Sequence, residues 1–156
     1  MNDLRLVETF EELVPMVELL DVRFFEVSGV VDRTAIGVAE TSGEAETSAE
    51  SESPTQLQLG QSEDRRQIGV SVRMEAKTDL ASFVVAAGVE YSCSEAVELT
   101  EGVKAEFANR LAFMTLVPFL REGLITTAAR LRVNPPVVPL IRAGAFAVGE
   151  PRRDSE

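Results

Sequence analysis

The chain has no histidine, no tryptophan and a single cysteine, Cys93. Each shortage removes a class of chemistry. Without histidine there is no Ser-His or Cys-His nucleophile pair. One cysteine and no imidazole leave no zinc site, because zinc takes sulfur and nitrogen ligands. The expectation is therefore no catalytic residue, no metal and no cofactor. A lone cysteine cannot close an intramolecular disulfide, which suits a reducing compartment. Positive charge is also scarce: 15 Lys and Arg against 26 Asp and Glu give a net charge of −11. That balance opposes nucleic acid and anionic membrane surfaces. No unbroken apolar run approaches the roughly 18 residues of a membrane span. The opening Met1-Asn2-Asp3-Leu4-Arg5 has neither the basic nor the apolar part of a signal peptide. A soluble, cytoplasmic protein that binds proteins or small molecules is expected, without membrane insertion.

What is present organises as one domain, 1–156, with an apolar fraction of 45%. Leu6, Val7, Phe10, Leu13, Val14 and Val17 recur at helical spacing, with Glu8, Glu11 and Glu12 opposite them. Pro15 disfavours helical geometry at Val14, so residues 1–19 read as a short packing helix or arm. Leu20 to Val31 reads as a strand. Its alternation slips at Phe24-Phe25, through a bulge or through burial on both faces. Residues 34–54 contain a low-complexity stretch, Thr41 to Ser53, that is acidic and nearly free of large apolar residues. Such a composition cannot offset its ordering entropy and reads as a flexible insert.

Three alternating segments follow, Thr55 to Leu59, Gln67 to Ala76 and Ser82 to Ser94. Ile68, Val70, Val72 and Met74 share one face, as do Phe83, Val85, Ala87, Val89, Tyr91 and Cys93. Short turns between them favour antiparallel pairing. The other face carries Gly69, Ser71, Val84, Ala86 and Gly88. It is too weakly polar to be left to water and is expected to meet a second subunit. Cys93 on the apolar face reads as a small core residue. Glu26, Glu90 and Glu122 show no spacing that would make a catalytic carboxylate pair, so no enzyme is expected.

Thr100 reads as the N-cap of a long helix, with Glu101 in its first turn. Val103, Phe107, Leu111 and Met114 continue at helical spacing through Leu120, Leu124, Ala128 and Leu131. Pro118 is expected to break or kink this helix, and Asn134-Pro135-Pro136 to stop it. Beyond it, Pro135 to Ile141 is apolar but too rich in proline for a central strand. It packs over a core edge or walls a groove. Residues 142–156 form a C-terminal tail. The fold class is α+β, a four-stranded antiparallel sheet packed with a long kinked C-terminal helix and a proline-rich crossover.

Val117-Pro118-Phe119-Leu120-Arg121-Glu122 resembles the apolar-Pro-aromatic-x-Arg-Glu element of the SecB export-chaperone family, and Pro135 to Pro139 resembles its crossover. Phe25-Glu26 is similar to the family's first strand, Pro54 to Leu59 to its second, and Gly88 to Ser92 to the end of its fourth. The resemblance spans most of Leu20 to Pro139. It implies a SecB-like fold assembled as a homo-oligomer, a dimer or dimer of dimers. It also implies an ATP-independent chaperone that holds unfolded polypeptide clients in apolar grooves, in protein export or in protecting an antitoxin. A dedicated adaptor with one specific partner is the alternative on the same fold. Phe119, Val137, Val138 and Leu140 are then the candidate groove residues, and Glu26 a candidate acidic docking residue. The likeness thins where the SecA motor would dock. The cysteine- and histidine-bearing tail is missing, and Phe83-Val84-Val85 stands where another glutamate is expected. After Pro139 little chain remains for the family's second long helix. SecA docking is accordingly in doubt.

Overall fold

The computed structural model describes residues 3–34 and 55–137, and the backbone of 148–149. In chain order the elements are β1 (Arg5–Val7), α1 (Phe10–Leu13), β2 (Val17–Val31), β3 (Thr55–Gln61), β4 (Gln67–Lys77), β5 (Ala81–Cys93), β6 (Val97–Leu99), α2 (Glu101–Leu131) and β7 (Val148–Gly149). The main sheet has the order β2-β5-β4-β3-β7. Its first four strands are antiparallel, while β7 joins the outer edge of β3 in parallel. Alternation drives this sheet, since every second residue of β4 and β5 points to one side. Ile68, Val70, Val72 and Met74 are buried with Phe83, Val85, Ala87, Val89, Tyr91 and Cys93, as their spacing predicts. The architecture is α+β, four antiparallel strands with a long helix on one face.

The N-terminal arm differs from the helical reading. Arg5–Val7 is a strand in parallel register with β6, and the helix shrinks to Phe10–Leu13. The Thr9 side chain accepts a hydrogen bond from the Glu12 amide and so starts that helix. Pro15 then tightens the chain into a single 3₁₀ turn, Val14–Met16, that leads into β2. Val7 and Leu13 are fully buried. Two core anchors six residues apart, and not a continuous amphipathic stripe, hold the arm.

α2 packs its apolar side on the sheet, crossing from β3 near its N-terminal half to β5 and β2 further on. Thr100 caps it, its hydroxyl accepting from the Val103 amide. The helix does not break at Pro118, which lies inside the continuous segment Phe113–Leu131. Met114, whose carbonyl loses its donor to the proline, and Pro118 itself are both exposed, so water can satisfy that oxygen. The irregularity sits earlier, in wide π-type turns over Phe107–Ala112. There the buried Asn109 amide donates to the Ala105 carbonyl at 2.9 Å, serving an acceptor that the wider turn bypasses. By length and hydropathy α2 could cross a membrane. Its apolar face is covered by the sheet instead, and Arg110, Arg121 and Glu122 lie on the exposed face.

The helix ends before the prolines reach it. Arg132 adopts a left-handed conformation at φ 57°, and the amides of Arg132 and Val133 fold back onto Ala129 and Ala128. That is the Schellman arrangement, which glycine ordinarily fills. Near this end the helix packs close on β2: a Cβ at Gly29 would lie 2.7 Å from Thr127 and 2.8 Å from Leu131. Relieving the left-handed arginine tests this C-cap. Arg132→Gly should raise unfolding free energy by about 1 kcal/mol, measured by denaturant midpoint at unchanged slope. A loss of stability would show that the Arg132 side chain matters more than its backbone.

Candidate functional site

Among the described residues β2 is an edge strand of the sheet, and its pairing with β5 slips twice, between Leu19 and Asp21 and between Phe24 and Glu26. The extra residues Leu20 and Phe25 are β-bulges, which resolves the slip at Phe24-Phe25 in favour of a bulge. Each bulge resets which side chains face the helix. Opposite the helix-facing Tyr91, Val89, Ala87 and Val85 lie Leu19, Val22, Phe24 and Val27. Opposite Glu90, Gly88 and Ala86 lie Asp21, Arg23 and Glu26.

On the helix side the strand carries more apolar surface than α2 covers. Leu19 is 51% exposed, Val27 44% and Phe24 39%. Phe119, also 39% exposed, meets Phe24 edge-to-face with ring centroids 6.4 Å apart. The result is an apolar strip where the edge strand meets the helix. Beneath it, Tyr91 packs edge-on against Phe107 at 5.1 Å and donates to Thr115, which in turn donates to the Leu111 carbonyl. Burial pushes the Tyr91 hydroxyl up. The buried side-chain polar atoms of this inner layer all have partners, so the strip rests on a satisfied, packed floor.

On the opposite face of the sheet lies an open hollow of about 380 Å³, walled by Phe25 and bordered by Asp21, Arg23, Gln58 and Glu90. The Phe25 ring lies directly on Gly88, where a Cβ would come within 2.5 Å of it. Asp21 and Arg23 pair at 2.6 Å, and the hydrogen bond from Arg23 holds the Asp21 carboxyl below its usual range. Arg73 pairs with Glu26 and reaches Glu75 at 3.6 Å. The Glu26 pairing raises the Arg73 guanidinium above its ordinary value. Acidic and basic groups thus alternate here.

Phe119 is in the strip. Val137 is exposed and lies six residues past Leu131, where the helix ends roughly 18 Å along its axis from Phe119. Val138 and Leu140 lie outside the described residues, as do most of the acidic insert and the C-terminal tail. Glu26 sits on the open face, partnered by Arg73. Leu19, Phe24 and Val27 were not singled out by sequence pattern, although the doubled aromatic marks their strand. Among the described residues no group of three or more His, Cys, Asp or Glu is placed to hold a metal.

The described residues thus form an antiparallel sheet with one long helix on one face and an apolar strip along the edge strand. No family model matches the chain. The SecB-like chaperone SmegB of Mycolicibacterium smegmatis is 24% identical over 155 residues, covering 96% of this chain and 92% of its own. The Mycobacterium tuberculosis SecB-like chaperone Rv1957, solved in complex with a ChAD peptide from the Rv1956 HigA1 antitoxin, superposes with a TM-score of 0.60 at 12% identity. That match covers 85% of this chain and 92% of Rv1957. A Streptococcus agalactiae protein of unknown function shares the fold at a TM-score of 0.50 and 8% identity, over 80% of this chain and 97% of its own. In sequence and in fold the chain is similar to SecB-like proteins, at a divergent level of identity. Both named relatives are described as SecB-like chaperones.

Cys93 tests how firmly the sheet is closed. It is buried in the apolar face, and burial raises its thiol pKa. Alkylation of the native protein should run roughly a hundredfold slower than in denaturant and should still accelerate above pH 9, where an ordinary thiol levels off. Rapid native labelling at neutral pH would mean that β5 opens locally.

Proposed function

We propose that the chain is an ATP-independent holdase that binds extended, non-native polypeptide segments along the strip formed by β2 and Phe119. The exposed apolar edge carries this reading: Leu19, Phe24, Val27 and Phe119 are exposed side by side where β2 meets the helix. A client that buries several large side chains there gains about 1.5–3 kcal/mol from each. Shallow apolar contacts of this kind favour many sequences over one. Val137, Val138 and Leu140, which follow the helix in sequence, are the further candidate groove residues of this reading. The homologous setting supports polypeptide binding, since Rv1957 was solved with an antitoxin peptide.

The assembly proposed is a homo-oligomer, a dimer or dimer of dimers, in the cytoplasm. The small residues Ala86 and Gly88 and the Phe25 ring, set between ion pairs on the open face, offer one contact surface. Protein export and antitoxin protection are the two settings for such an activity. The pairing of Glu26 with Arg73 and the mixed charge around it argue against an acidic SecA-docking patch. Antitoxin protection, or a dedicated adaptor with one partner, is the second reading, favoured by the peptide bound to Rv1957.

At stoichiometric ratio the protein should suppress aggregation of an unfolded client followed by light scattering. Phe119→Asp and Leu140→Asp should each weaken that suppression by about tenfold, the equivalent of losing one buried side chain. Absence of suppression by the parent protein would retire the general holdase. If a single partner then co-purifies with the chain, the adaptor reading takes its place.

A further inference from the structure

The two edges of the sheet are managed differently. Exposed strand edges invite pairing with other chains, and proteins blunt them with bulges or cover them. The β2 edge is broken by its two bulges. β3 instead pairs with β4 without a slip, Thr55 against Met74 through Gln61 against Ile68, so its outer edge is a regular template. The chain covers it with its own C-terminal residues: Val148 pairs with Leu57 and Gly149 with Gln58, in parallel. Two of the seven β3 residues are therefore matched by β7. Leu57 and Leu59 are buried on the core side of this strand, while Gln58, Gly60 and Gln61 border the open hollow on the other.

We propose that the outer edge of β3 is a strand-addition site for an extended polypeptide segment, and that Val148–Gly149 is its resident competitor. This rests on the polypeptide-binding reading and adds a second place of attachment with a different chemistry. The strip selects apolar side chains, whereas an edge strand is recognised through main-chain amides and carbonyls, whatever the sequence. A two-residue pairing is short enough to exchange, and tethering gives it an effective concentration that a free segment must outcompete. Pro151, two residues further on, has no amide to lend to a ladder. A longer incoming segment can pair with all of β3 and so displaces the shorter one.

The test uses the full chain, a variant carrying Val148→Pro and Gly149→Pro, and a chain ending at Ala147. The double proline removes both tail amides at unchanged length and charge. The probes are a fluorescent ten-residue Val/Thr-rich peptide and its counterpart N-methylated at alternate residues, which cannot form a ladder. Both altered chains should bind the plain peptide about three- to tenfold more tightly than the parent and the N-methylated peptide no better. Hydrogen exchange at β3 amides, without peptide, should quicken in both. Unchanged exchange at β3 overturns the proposal while leaving the strip as a chaperone site, and so does an equal gain for the N-methylated peptide. Faster exchange with no peptide bound by any form overturns it together with the polypeptide-binding reading.

Discussion

One helix cannot cover a four-stranded sheet, and the rest of the structure follows from that mismatch. Four strands at about 4.8 Å spacing span close to 20 Å, while a helix with its side chains is 10–12 Å across. α2 lies diagonally, so it seals β4 and β5 but leaves the edge strand β2 partly bare. In an ordinary monomer that edge would be polar. Here it carries Leu19, Phe24 and Val27, with Phe119 reaching over from the helix. The apolar strip is a residue of incomplete coverage, held open because the layer beneath it is already fully packed.

The same mismatch explains the irregularities of the chain. The bulges at Leu20 and Phe25 let a single strand present apolar groups to both faces. Gly88 exists as bare backbone under the Phe25 ring, and Gly29 lets the helix end approach the sheet. The π-type turns over Phe107–Ala112 belong to the part of the helix that meets the core, with Asn109 closing the acceptor they bypass. Each departure from regular geometry has a neighbour that requires it.

Much of this was legible in the residues. Alternation in β3, β4 and β5 is unambiguous because one face is buried, and the Thr100 cap has a specific partner to find. The doubled phenylalanine marked a slip without deciding between a bulge and burial on both faces, which the register settles. The short strands β1, β6 and β7 left no periodic signal, since two or three residues cannot show one. Val7 and Leu13 happen to fall at helical spacing, although tertiary burial of each decides the arm's path. Pro118 does not break the helix, and the carbonyl it deprives of a donor belongs to the exposed Met114. Of the candidate groove residues Phe119 belongs to the strip, but its partners on β2 depend on bulge register, which composition cannot reveal.

The central claim is that unfolded polypeptide is held on the β2 edge. Hydrogen exchange of the whole chain, with and without a reduced and carboxymethylated unfolded protein, tests it directly. Amides of Val17–Val31 should exchange more slowly when the client is present, while those of the central strands β4 and β5 stay as they were. Client binding that leaves the β2 amides unchanged would contradict this account.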